Sequence, residues 1–126
     1  MSVILDASAL LAWLHDEPGS KMVDEVLHQA IISTVNWSEV IQKSISKGVD
    51  IEGMRGDIEA LGVRLKPLDV NVAELAAHIW LENKKGSLSL ADRICLALAQ
   101  TSNLPVLTAD KDWIKAAINV QIQLIR

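Results

Sequence analysis

The sequence predicts an α/β fold, with a parallel β-sheet covered by helices on both faces. Three observations lead there. Short apolar runs alternate with longer segments of helical spacing. The runs are apolar throughout rather than alternately polar, as expected of strands buried on both faces. The chain has 126 residues, 50% of them hydrophobic and 22% charged. That size and balance suit one folded domain over residues 1–126, burying roughly two-thirds of its unfolded surface.

The elements follow in order. Val3-Ile4-Leu5 is a short apolar strand. Ala9 to Leu14 reads as a helix, broken by Pro18-Gly19. A second helix starts near Ser20 and carries Met22, Val23, Val26 and Leu27 at helical spacing. Ile31-Ile32 is the second strand. Two helical segments follow, Trp37 to Lys47 and Ile51 to Leu61, separated by Gly48. Val63 to Leu68 is the third strand. Val72 to Leu81 is a helix with Leu75, Ala76, Ile79 and Trp80 on one side, closed by the polar loop Asn83-Lys84-Lys85-Gly86. Ser89 to Gln100 is the clearest helix, small and apolar through Ile94 to Ala99. Pro105 to Thr108 is the fourth strand. A short helix from Trp113 to Ala117 and a last strand from Val120 to Leu124 complete the set, for a sheet of about five strands.

Composition excludes several classes. The apolar fraction excludes intrinsic disorder. The single cysteine, Cys95, excludes a disulfide scaffold and points to a reducing cytosol. No uncharged apolar run reaches the ~18 residues of a membrane span. The start, Met1-Ser2-Val3-Ile4-Leu5-Asp6, lacks the basic leader of a signal peptide. Twelve Lys and Arg face sixteen Asp and Glu, a formal net charge of -4. Nonspecific electrostatic affinity for nucleic acid is therefore not expected. An acidic protein still acts on phosphates where metal ions neutralise the encounter or local basic residues line the entry. The aromatic residues are four Trp, with no Phe or Tyr. Their scatter reads as core and rim packing rather than an RNA-stacking platform.

Four acids carry the chemistry. In a parallel sheet the active crevice lies beyond the carboxyl ends of the strands. Asp6 ends the first strand and Asp110 ends the fourth. Glu39 lies one short turn past the second, and Asp92 begins the long helix before the fourth, joining the others only if that helix starts on the same side. Each also reads as a helix cap: Asp6 and Asp110 directly precede helices, and Asn36-x-x-Glu39 and Ser89-x-x-Asp92 have capping-box spacing. Capping does not explain why four such starts share one edge, beside the small or uncharged Ala7, Ser8, Ala91, Thr108 and Ala109. Clustered carboxylates repel and raise one another's pKa. A bound divalent cation relieves that repulsion, and oxygen ligands without His or Cys select Mg²⁺ or Mn²⁺.

Such a site suits phosphodiester hydrolysis by one ion or by two about 4 Å apart. Asp6 and Asp92 are the expected direct or water-bridged ligands, with Asp110 completing the set. Glu39 binds a second ion or orients the attacking water. Ser8 steadies a carboxylate or phosphate, and Thr108 either does likewise or serves only the strand.

Four blocks of the sequence carry a resemblance. They are Leu5-Asp6-Ala7-Ser8-Ala9-Leu10-Leu11 with Glu17-Pro18-Gly19, Asn36-Trp37-Ser38-Glu39-Val40, Leu90-Ala91-Asp92-Arg93 with Cys95 to Ala99, and Leu104 to Asp110. In this order and spacing they resemble the PIN-domain family, and within it the VapC-type toxin ribonucleases. The resemblance covers nearly the whole chain. It implies a three-layer α/β/α sandwich, a Mg²⁺- or Mn²⁺-dependent endoribonuclease, a cognate VapB-like antitoxin and a homodimer. The family's acidic quartet maps onto Asp6, Glu39, Asp92 and Asp110, and its recurrent Ser/Thr onto Ser8. Asp112 is an extra acid nearby, read as a cap of the short helix.

Other residues read more plainly. His15, His28 and His78 lack ligand spacing and belong to the surface or rim. Cys95 is core. Arg93 faces substrate or pairs with a carboxylate, and Lys111 is a candidate phosphate contact. Lys84-Lys85 reads as a solvated loop, with contact to RNA phosphates as the alternative. Met22, Val26, Ile41, Ile45 and Met54 are core or line a groove for an antitoxin helix. Two competing functions remain at this stage. A dehalogenase-type phosphatase wants a second Asp where Ser8 stands, and a receiver wants a late-strand Lys for which Lys111 is a poor substitute. An inactive binding module would need no intact quartet.

Overall fold

The computed structural model describes residues 1–126. Strands β1 (Val3–Leu5), β2 (Ala30–Ser33), β3 (Arg64–Lys66), β4 (Val106–Thr108) and β5 (Ile122–Leu124) form one sheet. Helices α1 (Ala7–Leu14) and α2 (Ser20–Val26) separate β1 from β2, and α3 (Thr34–Ser46) and α4 (Met54–Ala60) separate β2 from β3. Helices α5 (Val70–Glu82) and α6 (Leu90–Ser102) separate β3 from β4. Two short 3-10 turns, Leu27–Gln29 and Lys111–Lys115, lead towards β2 and away from β4. The strand order is β3-β2-β1-β4-β5, and every pairing is parallel.

The wholly apolar strands are explained by this sandwich. Successive side chains of a strand point to opposite faces. Val3 and Leu5 join one core with Leu10, Val23, Ile32, Val40, Ile58 and Leu107, beneath α1, α2 and α4. Ile4 and Val106 join the other with Val72, Ala76, Ile79 and the apolar run of α6. Both faces are dry, so neither tolerates a polar alternation. The edge strand β3 differs: Arg64 and Lys66 are exposed around a half-buried Leu65. Cations on an edge discourage pairing with another chain.

Several boundaries depart from expectation, each for a local reason. The helix expected from Trp37 begins three residues earlier, at Thr34, because Ser33 ends β2 and caps α3 at once: its hydroxyl accepts from the Val35 N–H at 3.1 Å. Asn36-x-x-Glu39 is therefore not a capping box but one face of a helix interior. The third strand, expected over 63–68, is limited to Arg64–Lys66; Pro67 follows and has no N–H to pair. The helix expected over 113–117 is a 3-10 turn over Lys111–Lys115, started by Asp110. The four Trp also divide. Trp113 is fully buried and Trp13 and Trp37 are half-buried, whereas Trp80 is 50% exposed. Ile79 takes the inward position on α5, and the next residue projects about 100° away.

No helix is long and apolar enough to cross a membrane.

Candidate active site

The strand order places a topological switch point between β1 and β4. They are neighbours, but the chain leaves β1 towards β2 and leaves β4 towards β5. Diverging connections open a crevice at the carboxyl ends of such strands. Leu5 lies opposite Leu107 in the register, so Asp6 and Thr108 emerge side by side at that crevice.

Asp6 is 5% exposed and caps α1, its Oδ1 accepting from the Ala9 N–H at 2.9 Å. The Ser8 hydroxyl donates to the same carboxylate, 2.7 Å from Oδ1 and 2.9 Å from Oδ2. The Thr108 hydroxyl donates to Oδ2 at 2.6 Å. Each hydroxyl also accepts from the chain beyond β4: Ser8 Oγ from the Ala109 N–H at 2.9 Å, Thr108 Oγ1 from the Asp110 N–H at 3.0 Å. Burial nevertheless dominates, lifting the Asp6 pKa from 3.8 to about 6; the hydrogen bonds from Thr108, Ala9 and Ser8 oppose the rise, and the charge of Asp92 adds to it.

Asp92 stands at the third position of α6 in a complete capping box. Its N–H donates to Ser89 Oγ at 3.1 Å, and its Oδ2 accepts from the Ser89 N–H at 3.0 Å. Burial raises its pKa; the Ser89 bonds lower it, Asp110 raises it and Lys43 lowers it. Asp110 caps the 3-10 turn, its Oδ1 accepting from the Asp112 N–H at 3.0 Å. Glu39 lies in the second turn of α3, where its Oε1 accepts from Asn36 Nδ2 at 3.0 Å. The same amide donates to the Ala91 carbonyl at 3.3 Å. Asn36 thus ties Glu39 to the residue before Asp92.

Cys95 shows how far these charges overlap. Its thiol is fully buried and weakly bonded to the Leu5 carbonyl at 3.9 Å. Burial pushes its pKa well up, and Asp6, Asp92 and Glu39 each push it further. Asp92 in turn feels Asp110. The fields of all four acids therefore meet in one region. They do not form a closed cage: no three acid, His or Cys side chains are grouped as a metal site. Asp92, Asp110 and Glu39 each keep one oxygen on a local N–H donor. The donor set is all oxygen and mutually repelling, with Asp6 buried and Glu39, Asp92 and Asp110 half-buried. That fits Mg²⁺ or Mn²⁺, which retain several waters and need few protein ligands.

The two basic residues expected near the acids are placed differently. Arg93 turns away, its Nη1 donating to the Ala76 carbonyl of α5 at 2.9 Å while its buried Nε lacks a partner. Lys111 is exposed at the head of the 3-10 turn and forms no ion pair. The cation whose field reaches the acids is Lys43, one turn beyond Glu39 on α3. Sequence reasoning passed over Lys43, and it read Asn36 only as a cap. The i, i+3 and i, i+4 spacings from Asn36 to Glu39 and from Glu39 to Lys43 carried the signal, because residues so spaced share a helix face.

Comparison with known proteins extends these observations. No curated protein matches the sequence. Among solved structures the chain is similar to a toxin-antitoxin complex from Klebsiella pneumoniae, with 24% identity over 99% of this chain and 98% of that one and a TM-score of 0.77. It is similar to FitAcB from Neisseria gonorrhoeae, with 24% identity over 94% and 96% and a TM-score of 0.74. It is also similar to Mycobacterium tuberculosis VapC20, a sarcin-ricin loop cleaving toxin, with 12% identity over 94% and 97% and a TM-score of 0.71. A family model described as PIN domain matches residues 3–119. Nearly the whole chain is covered by that match, the acids at the switch point included, and the chain belongs to the PIN domain family.

Proposed function

We propose that residues 1–126 act as one nuclease domain, a metal-dependent endoribonuclease of the VapC type that serves as the toxin of a toxin–antitoxin pair. The observation that carries this reading is how the acids are tied together at the β1/β4 switch point: Thr108 bonds both the Asp6 carboxylate and the Asp110 N–H, and Asn36 bonds both Glu39 and the carbonyl of Ala91, the residue before Asp92. Asp6, Asp92 and Asp110 would hold Mg²⁺ or Mn²⁺, with Glu39 at the margin. Such an ion, when bound, polarises a phosphoryl oxygen and acidifies water.

The chain's own groups do the rest. Ser8 and Thr108 hold the Asp6 carboxylate in one orientation, so its charge is aimed before substrate arrives. Asn36 holds Oε1 of Glu39, leaving Oε2 without a hydrogen bond and able to accept the proton of an attacking water. Lys43 offsets the repulsion between the acids and an approaching phosphodiester. A phosphatase of the dehalogenase type fits less well. It needs a second acid two residues after Asp6, where Ser8 instead donates to the Asp6 carboxylate.

The solved neighbours include toxin–antitoxin assemblies, three of them bound to DNA, and a sarcin-ricin loop cleaving toxin. They support RNA as substrate and a VapB-like antitoxin as partner; a homodimer as the working form and the cytoplasm as its place are proposed from the resemblance to VapC-type toxins. The test is cleavage of single-stranded RNA by the purified protein with Mg²⁺ or Mn²⁺ and with chelator. Cleavage requiring the ion, and lost in Asp92→Asn, is the expected result. Full activity in Asp92→Asn would remove that residue from the mechanism, and cleavage indifferent to chelator would remove the metal.

A further inference from the structure

One cleft, on the segments that lead into Asp92 and away from Asp110, has no role in the mechanism above. It encloses about 590 Å³ between the α5–α6 loop and the 3-10 turn after β4. Lys84 and Lys85 line one wall and Lys115 the other. None of these three is in an ion pair; the pairs of this chain involve Lys47, Arg55 and Arg126. With the carboxylates of Glu82 and Asp112 also in the lining, the cavity carries a surplus of one positive charge in a chain of net charge -4.

The cleft is built rather than incidental. Asn83 locks its two walls together: Nδ2 donates to the Ile79 and Ala117 carbonyls at 2.9 and 3.2 Å, and Oδ1 accepts from the Ala117 N–H at 2.7 Å. It also adjoins the acids through the chain itself. Asp112, in its lining, follows Asp110 by two residues, and Ser87-Leu88 run directly into Ser89, which caps Asp92. At its rim the Lys84 ammonium lies over the half-exposed Trp80 ring, 5.4 Å from the centroid.

We infer that this cleft binds the single-stranded RNA flanking the scissile phosphate, with Lys84, Lys85 and Lys115 on successive phosphates and Trp80 offering a face to a base. The inference rests on the nuclease reading above and adds to it where the strand runs. Cations that track a backbone beside an exposed aromatic ring are how proteins grip single strands with little sequence preference. Eight of the twelve lining residues are not hydrophobic, three lysines among them, which suits a polyanion better than an apolar peptide. The volume lies in the range of small-ligand sites, so it admits a nucleotide rather than a duplex.

The test is fluorescence anisotropy of a short end-labelled single-stranded RNA in chelator, so that nothing is cut. The variant Lys84→Ala/Lys85→Ala/Lys115→Ala is compared with wild type and with a charge-matched Lys21→Ala/Arg55→Ala/Arg64→Ala control across a salt series. The cleft variant should bind about tenfold more weakly or worse, and its salt slope should be shallower by about 2, at about 0.7 per lost phosphate contact. The control should keep the wild-type slope. Trp80→Ala should weaken binding without changing the slope. Equal affinity and slope in the cleft variant would overturn the inference, as would an equal loss in the control. RNA cleavage by wild type is scored separately. Its absence would count against the nuclease reading, whereas cleavage together with unchanged binding by the cleft variant would count against this inference alone.

Discussion

Thr108 Oγ1 donates to Asp6 Oδ2 across 2.6 Å, joining the end of β4 to the end of β1 at the point where their connections diverge. One hydroxyl therefore couples two acids, because it also accepts from the Asp110 N–H. Thr108→Val keeps the shape and removes both bonds. We expect RNA cleavage to fall about 10- to 100-fold, and the pH at which activity appears to move upward, since Asp6 loses a donor that stabilises its charge. Thr108→Ser should restore both. A pH profile of kcat/KM for the three proteins decides it; an unshifted profile in the Val variant leaves Thr108 a plain strand residue.

Asn36 offers a sharper separation of stability from activity. It is 1% exposed, and its Oδ1 has no partner while its amide group serves Glu39 and Ala91. Asn36→Leu removes two hydrogen bonds and also an unsatisfied buried carbonyl. The net stability change should stay within about 1 kcal/mol, while cleavage drops about 10- to 100-fold because Glu39 loses its orientation. Thermal melts and single-turnover kinetics measure the two effects. A variant of normal activity would make the Asn36–Glu39 bond incidental.

The Asp6 pKa makes metal-free stability depend on pH. The unfolded chain releases that proton near 3.8 and the folded chain near 6. Between these values the folded state binds more protons, so stability falls as pH rises and levels off above about 6. The fall is on the order of 3 kcal/mol, and Asp92, raised in the same direction, adds to it. Denaturant unfolding in chelator from pH 4 to pH 7 should show this slope, and Asp6→Asn should flatten most of it. Stability that rises over that window would show Asp6 to be stabilised as a carboxylate.

Gly62 is fixed by space as well as by dihedral angle. Its φ is +106°, and a Cβ there would meet the His28 carbonyl oxygen at 2.6 Å. Gly53 has a φ of +79° with nothing within 4 Å. Gly62→Ala should cost about 3 kcal/mol and Gly53→Ala about 1 kcal/mol. Equal losses in denaturant titrations would mean that the approach of His28 is relieved by a backbone shift.

Much of the fold was legible because the signals are local. The runs of β1, β2 and β4 report strands because burial on both faces removes the polar alternation, whereas the edge strands β3 and β5 keep polar residues at Arg64, Lys66 and Gln123. Asp6, Ser89-x-x-Asp92 and Asp110 were legible as caps because a cap is a contact within a few residues. Ser33 was not, because it closes a strand and opens a helix with no loop between to mark the change. Trp80 was misjudged for a related reason: its neighbour Ile79 is inward, and one position is enough to turn a side chain to solvent.

By itself the sequence determined the element types, the parallel sheet and the presence of acids at strand ends and helix starts, because periodicity and capping depend on neighbours in the chain. Only the tertiary structure decided that β1 lies beside β4. That pairing, between residues about a hundred positions apart, brings Thr108 onto Asp6 and sets the crevice. It also decided that Arg93 turns to α5 while the charge of Lys43 reaches Asp92, and that three lysines line one cleft. A side chain's direction depends on what packs around it, and no local pattern encodes the packing of distant segments.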